Sequence, residues 1–197
     1  MPYNPCTANI AMNIVADCEK PNIGGYTGRA VLIPVDSNPA IVVNEDNNHI
    51  LTSITPAEGT KTIAVNNVFA EPFTGSNTAS QADSGRTAFT KTIAVRIPLR
   101  GGAVSKDIVE PLVNNALGYI MIAEKKDKVG DGTYEVIGYQ NGLKANADGI
   151  NRDELANGGD IVATLSTVEP FFEVTLFDTD YQTTKEAFDA LYTTNSI

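Results

Sequence analysis

Residues 89–99 decide the fold, and they read Phe89-Thr90-Lys91-Thr92-Ile93-Ala94-Val95-Arg96-Ile97-Pro98-Leu99. An apolar side chain stands at nearly every second position of this stretch, with Thr, Ala and Arg between them. A period of two predicts a β-strand with one buried face and one face in water. Lys91 is the exception, because it stands in the apolar series.

Short apolar runs between turn-forming residues predict further strands along the chain. They cover residues 28–35, 41–43, 49–54, 60–65, 119–125, 133–143, 161–165 and 171–177. Pro34 has no N–H to donate, so we expect the first of these strands to lie at an edge or to bulge there. Most connections are short enough for hairpins, which favours antiparallel pairing.

Two segments have helical spacing. Residues 105–118 carry an apolar stripe, with Ser105 or Asp107 as the cap and Gly118 as the stop. Pro111 disfavours a helix interior, so this helix is expected to kink or to begin near Ile108.

The second helix is predicted after residues 178–180. Thr183 and Glu186 have the spacing of a capping box. Its buried face is expected to comprise Ala187, Phe188 and Leu191. The whole pattern predicts one mainly β domain over residues 1–197, at the margin of the α+β class. Its core is a β-sandwich or barrel-like arrangement of antiparallel strands, with one or two short helices.

Residues 74–87 form a polar stretch of small side chains that cannot bury enough apolar surface to fold alone. Two interpretations stay open: a floppy loop, or a long arm that a neighbouring subunit orders. Residues 1–20 are a second candidate arm, and residues 144–160 are predicted to be a polar connection.

Composition limits the classes of function. The net charge is −10, so the basic face that a sequence-reading nucleic-acid binder needs is not expected. The start of the chain lacks the basic and apolar regions of a signal peptide, which favours a cytosolic protein. In that compartment Cys6 and Cys18 are expected to be free thiols.

No catalytic, cofactor-binding or metal-binding residues are predicted, and the protein is not expected to be an enzyme. His49 is the single histidine, and it follows an Asn-rich turn. The oxygen ligands that calcium prefers occur in one loop, but their spacing departs from the EF-hand; they are Asp148, Asn151, Asp153 and Asp160. The absence of Trp counts against a sugar-binding cleft.

The C-terminal half carries a resemblance. Residues 134–139 (Tyr-Glu-Val-Ile-Gly-Tyr) precede Gly142-Leu143, and after the polar loop come residues 163–167, residues 174–177 and a short closing helix. Asp17-Cys18-Glu19-Lys20-Pro21, Gly24-Gly25 and Arg29 add to it near the start. In this order of elements the chain resembles tail-tube-like structural proteins of phages and prophages of Bacteroidetes bacteria.

The resemblance implies a viral structural protein, the major tail tube protein, located in the virion tail and assembled in the bacterial host cytoplasm. It implies stacked hexameric rings whose sheets join into a continuous inner barrel. The implied partners are further copies of the chain, other virion tail proteins, and double-stranded DNA passing through without sequence-specific binding, with no membrane. An acidic lumen would let DNA slide.

Two alternatives remain open. One is another virion component, such as a tail terminator, a connector or a capsid decoration protein. The other is a ligand- or carbohydrate-binding β-sandwich module, which would present an aromatic-lined cleft.

Overall fold

A computed structural model describes residues 23–67, 73–81, 87–98, 101–128, 130–151 and 159–193. The strands in these ranges are β1 (Tyr26–Pro34), β2 (Ala40–Val43), β3 (Ile50–Thr55), β4 (Ile63–Asn66), β5 (Phe73–Gln81), β6 (Thr87–Ile97), β7 (Tyr119–Lys125), β8 (Tyr134–Ile137), β9 (Lys144–Asn151), β10 (Ile161–Glu169) and β11 (Thr175–Leu176). The helices are α1 (Gly102–Val104), a π-helical segment (Ser105–Val109), α2 (Glu110–Asn114) and α3 (Tyr181–Thr193), with short 3-10 turns at Val35–Ser37 and Gly130–Gly132.

The strands form two sheets. The large sheet has the order β2-β3-β11-β8-β7-β1-β4, and the small sheet has the order β5-β6-β10-β9. The pairs described are antiparallel, except that β11 runs parallel to β3. The predicted fold class, mainly β and antiparallel with short helices, is confirmed.

The two sheets pack face to face, and α3 covers the other face of the large sheet. Leu32 and Met121 of the large sheet meet Ile93, Val95 and Leu165 of the small sheet in one core. A second core lies beneath α3 and contains Val31, Ile33, Ile120, Ile122 and Phe188. The large sheet is therefore buried on both faces, which explains why β1 and β7 are continuous apolar runs, while β6 alternates.

Pro34 does not mark an edge strand or a bulge. β1 lies between β4 and β7, and its register shift falls between Tyr26 and Ala30. The prediction is wrong because Pro34 is the last residue of β1. Pairing with β4 ends at Leu32 opposite Ile63, so no partner on that side needs a donor from Pro34.

The first helical region begins earlier than predicted and is capped differently. It runs from Gly102 to Asn114, and neither end of α1 has a side-chain cap. Pro111 stands at the start of α2, directly after the π-helical segment. Proline has no N–H to donate, and its ring clashes with the preceding helical turn. A π-helical turn before it is one way to tolerate both effects.

The capping box predicted for α3 is also wrong. The carboxylate of Asp180 accepts a hydrogen bond from the backbone N–H of Thr183 at 2.7 Å, so Asp180 is the capping side chain. Phe188 is buried, as expected, but Ala187 is exposed. Thr184 is buried in its place, and its hydroxyl donates to the Asp180 carbonyl at 2.7 Å.

Two segments predicted as irregular are strands. Residues 74–81 belong to β5, which pairs with β6 from Phe73 to Gln81, and residues 144–151 form β9. Neither a floppy loop nor an arm ordered by another subunit describes residues 74–81, since the ladder to β6 of the same chain supplies their hydrogen bonds. Residues 82–86 and the predicted arm at 1–20 lie outside the described residues.

Candidate assembly surface

The outward face of the small sheet is the most distinctive surface of the molecule. Along β6 and β10 the inward side chains are buried, and those between them are half-buried or exposed. Strand pairing places Thr74, Ser76, Thr78 and Ser80 of β5 opposite Ala94, Thr92, Thr90 and Ala88 of β6 on this outward side. β10 adds Thr164, Ser166 and the two flanking valines.

We call this surface the hydroxyl face, defined by residues 74, 76, 78 and 80 of β5, residues 88, 90, 92, 94 and 96 of β6 and residues 162, 164, 166 and 168 of β10. Its one charged side chain is Arg96, and the neighbouring strand β9 places Lys144 opposite Ser166. None of these outward positions carries a carboxylate. The net charge of −10 therefore arises elsewhere on the protein.

Neither outer strand of the small sheet pairs with a further strand within the described part of the chain. β5 pairs only with β6, and β9 pairs only with β10. Every residue of β5 from Thr74 to Gln81 is exposed. An edge strand of this length presents a row of N–H and C=O groups that another strand can pair with.

The directions of the two edges are complementary. β5, β6, β10 and β9 are successively antiparallel, so β5 and β9 run in opposite directions. When copies are placed side by side by rotation, β9 of one copy meets β5 of the next as an antiparallel pair. An even number of strands makes this continuation possible without a parallel pair.

A buried ion pair lies behind the hydroxyl face. Lys91 of β6 and Glu169 of β10 point inward, and Lys91 Nζ lies 2.8 Å from Glu169 Oε2, with side chains 1% and 0% exposed. Lys91 stands directly opposite Thr167, two positions from Glu169 along β10. The pair explains the polar exception in the alternating sequence of β6, since each charge neutralises the other.

A second ionic cluster fixes α3 to the large sheet. The guanidinium of Arg29 contacts Asp189 and lies 5.2 Å from the Phe188 ring centre and 4.6 Å from that of Tyr192. Its Nη1 is 3.6 Å from the buried Glu124. This arrangement combines a salt bridge with cation–π contact, which positions the helix.

A third cluster lies at the end of the sandwich. Tyr26 Oη donates to Glu135 Oε2 at 2.8 Å, and Lys125 Nζ contacts both Glu135 and Glu173. Burial opposes the charge on Lys125, but the two carboxylates outweigh burial and raise its pKa. Burial and the Glu135 charge likewise raise the pKa of Tyr26.

The side chains considered for chemistry are described only in part, since that of Asp148 lies outside the described side chains. His49 is half-buried against Phe171, with ring centres 4.7 Å apart. Asn151 ends β9, Asp160 precedes β10, and Asp153 is outside the described residues. Within the described ranges, no group of three or more His, Cys, Asp or Glu side chains is placed to hold a metal ion.

Sequence reasoning missed several positions that define this surface and the clusters behind it. Part of the hydroxyl face was visible as the Thr positions of β6, but the polar composition of β5 concealed its strand. Glu135 and Glu169 gave no signal, because nothing in the sequence places a distant carboxylate beside a given lysine.

No family model, no curated protein and no solved structure matches this chain. None of the helices in the described ranges is both long and apolar enough to cross a membrane.

Proposed function

We propose that this chain is a viral structural protein, the major tail tube protein, which assembles into stacked hexameric rings that conduct DNA. The observation that carries the proposal is the small sheet with two open, oppositely directed edges. The proposals of a hexamer and of a place in the phage tail rest on the sequence resemblance. The small sheet offers a physical means of joining the copies.

In the proposed ring, β9 of each subunit pairs with β5 of the next. Backbone hydrogen bonds then continue around the ring and leave no edge. Rotation brings the same two edges together at each junction, which is a heterologous contact that closes.

The hydroxyl face then lines the channel. The hydroxyls of Thr and Ser can each donate and accept a hydrogen bond. They do not form the bidentate pairs with base edges by which proteins recognise a DNA sequence. No position of the hydroxyl face carries a carboxylate, so β5, β6 and β10 do not supply the acidic lumen expected from the net charge. DNA would pass without sequence-specific binding.

The further partners are other virion tail proteins, and the location is the virion tail after assembly in the host cytoplasm. A tail terminator, a connector or a capsid decoration protein could use the same two edges in a ring of another geometry. A soluble ligand-binding module would leave both edges free.

Negative-stain electron microscopy of the purified full chain, with analytical ultracentrifugation across a concentration series, tests the proposal. Rings or hollow tubes are the expected result. A protein that stays monomeric at every concentration would contradict it. A closed dimer would also contradict it, because two-fold pairing of β5 with β5 uses the edge without forming a ring.

A further inference from the structure

A cleft of about 360 Å³ opens between the two sheets, at the end where β1 begins and β7 ends. Its lining includes Tyr26, Asn77, Lys125, Glu135, Phe172 and Glu173. The volume lies within the usual range of small-ligand sites. The cleft borders β5 at residues 75–77, but its charged side chains lie on other elements than the strand that pairs in the proposed ring.

The cleft presents acceptors and a donor held in fixed positions. The Glu135 side chain is 8% exposed, and its Oε2 is bonded by Tyr26 at 2.8 Å and by Lys125 at 3.2 Å. Lys125 also contacts Oε1 of Glu173. Glu135 Oε1 and Glu173 Oε2 accept no hydrogen bond from the described residues, and an ammonium has a third N–H to donate.

An aromatic ring stands at the mouth of this cleft. Phe172 is 54% exposed, although its ring packs edge to face against Phe89 at 5.6 Å. Its backbone carbonyl accepts a hydrogen bond from Asn77 Nδ2 at 3.1 Å. The ring is thus held in place before any ligand arrives, which lowers the entropic cost of binding.

The charges select the class of ligand. An organic anion would meet two carboxylates, and an organic cation would compete with the ammonium of Lys125 for those same carboxylates. Both would leave like charges close together in a partly desolvated site. A neutral polyol avoids this penalty, because each hydroxyl both donates and accepts.

We propose that the cleft binds a carbohydrate, with sugar hydroxyls on Glu135, Glu173 and Lys125. The C–H face of the sugar ring packs on Phe172, whose π-face carries partial negative charge. This inference does not depend on the tube proposal, since a monomer has the complete cleft. The absence of Trp does not exclude this sugar site, because Phe172 supplies the aromatic surface.

Saturation-transfer NMR of the full chain with glucose, galactose, mannose, N-acetylglucosamine and their disaccharides tests this. At least one probe is expected to bind with a dissociation constant of about 1 mM or tighter. Phe172→Ala and Glu135→Gln should each weaken that binding about tenfold or more. Val168→Ala, which removes an exposed apolar side chain of the hydroxyl face, is the matched control and should bind normally.

Circular dichroism establishes that each variant is folded. Phe172→Ala keeps the test decisive if Glu135→Gln does not fold, because Phe172 is exposed. Absence of binding for the whole panel would overturn the proposal, as would unchanged binding by folded Phe172→Ala. Saturable binding of spermidine or citrate in the cleft without any sugar binding would overturn the choice of ligand class.

Discussion

At the residue scale, the ion pair between Lys91 and Glu169 is the most sensitive point of the small sheet. Both side chains are fully buried, and their charged atoms are 2.8 Å apart. Glu169→Gln would leave the Lys91 charge without a counterion in the core. We expect the free energy of unfolding to fall by about 3–5 kcal/mol, measured by urea denaturation at neutral pH.

The matched control is the double variant Lys91→Met/Glu169→Leu. It removes both charges and fills the space with apolar side chains, so it should be neutral or stabilising by about 1–4 kcal/mol. A double variant as unstable as Glu169→Gln would show that shape, rather than charge compensation, limits this site.

His49 gives the protein a pH dependence that can be isolated, because it is the single histidine. Burial lowers its pKa, and the positive charge of Lys91 lowers it further. The unfolded chain then binds a proton more readily than the folded one. Stability should therefore be lost as pH falls below about 6.5, the ordinary histidine value.

Thermal unfolding at pH values between about 7.5 and 5 measures this loss. His49→Gln should reduce the slope, and the difference between the two curves reports His49 alone. Parallel curves would mean that carboxylates account for the whole pH response.

The sequence predicts some of these residues and not others, for a physical reason. Lys91 predicts a buried carboxylate partner, since a charge on the apolar side of a strand must be neutralised by an opposite charge. The apolar run predicts a strand that ends at residue 165, yet β10 continues to Glu169, which pairs with Phe89 of β6. The partner of a buried charge depends on strand pairing between distant segments, which local patterns do not encode.

At the element scale, β5 shows how far composition can mislead. Its Thr, Ser, Gly and Asn residues are typical of a loop, and all from Thr74 to Gln81 are exposed. Each of these eight residues is nevertheless paired with a residue of β6. Alternation of apolar and polar residues identified β6, and continuous apolar runs identified β1 and β7. Burial of one face of a strand produces the first pattern, and burial of both faces produces the second. The residues of β5 after Phe73 are exposed and show neither pattern.

Paired proline substitutions test whether β5 is an assembly edge. Adjacent residues of an antiparallel strand point their N–H groups to opposite sides. Of Thr78→Pro and Ala79→Pro, one therefore removes a hydrogen bond to β6, and the other removes a donor from the open edge. The first should lower the free energy of unfolding by about 0.5–1.5 kcal/mol or more, measured by urea denaturation.

The second variant should keep its stability and lose the ability to form rings or tubes, as seen by electron microscopy. The stability measurement identifies which variant is which. Normal assembly by the stable variant would mean that β5 does not pair with a neighbouring copy.

At the scale of the whole molecule, the three layers have different surroundings. α3 and the small sheet cover the two faces of the large sheet, and the hydroxyl face is left as a broad surface that no described element of the chain covers. In the proposed ring, the outer strands of the small sheet would pair with neighbouring copies, and the hydroxyl face would line the channel.

Cysteine labelling of assembled rings or tubes would show which surface faces the channel. In a background where Cys6 and Cys18 are changed to Ser, Thr164→Cys places a thiol in the middle of the hydroxyl face, and Glu186→Cys places one on the exposed side of α3. A small maleimide should label both variants. A maleimide on a long polyethylene glycol chain should label Glu186→Cys in the assembly but Thr164→Cys only after disassembly, because the channel excludes the polymer. Equal labelling of both variants in intact tubes would place the hydroxyl face on the outside. Another surface of the protein would then line the channel.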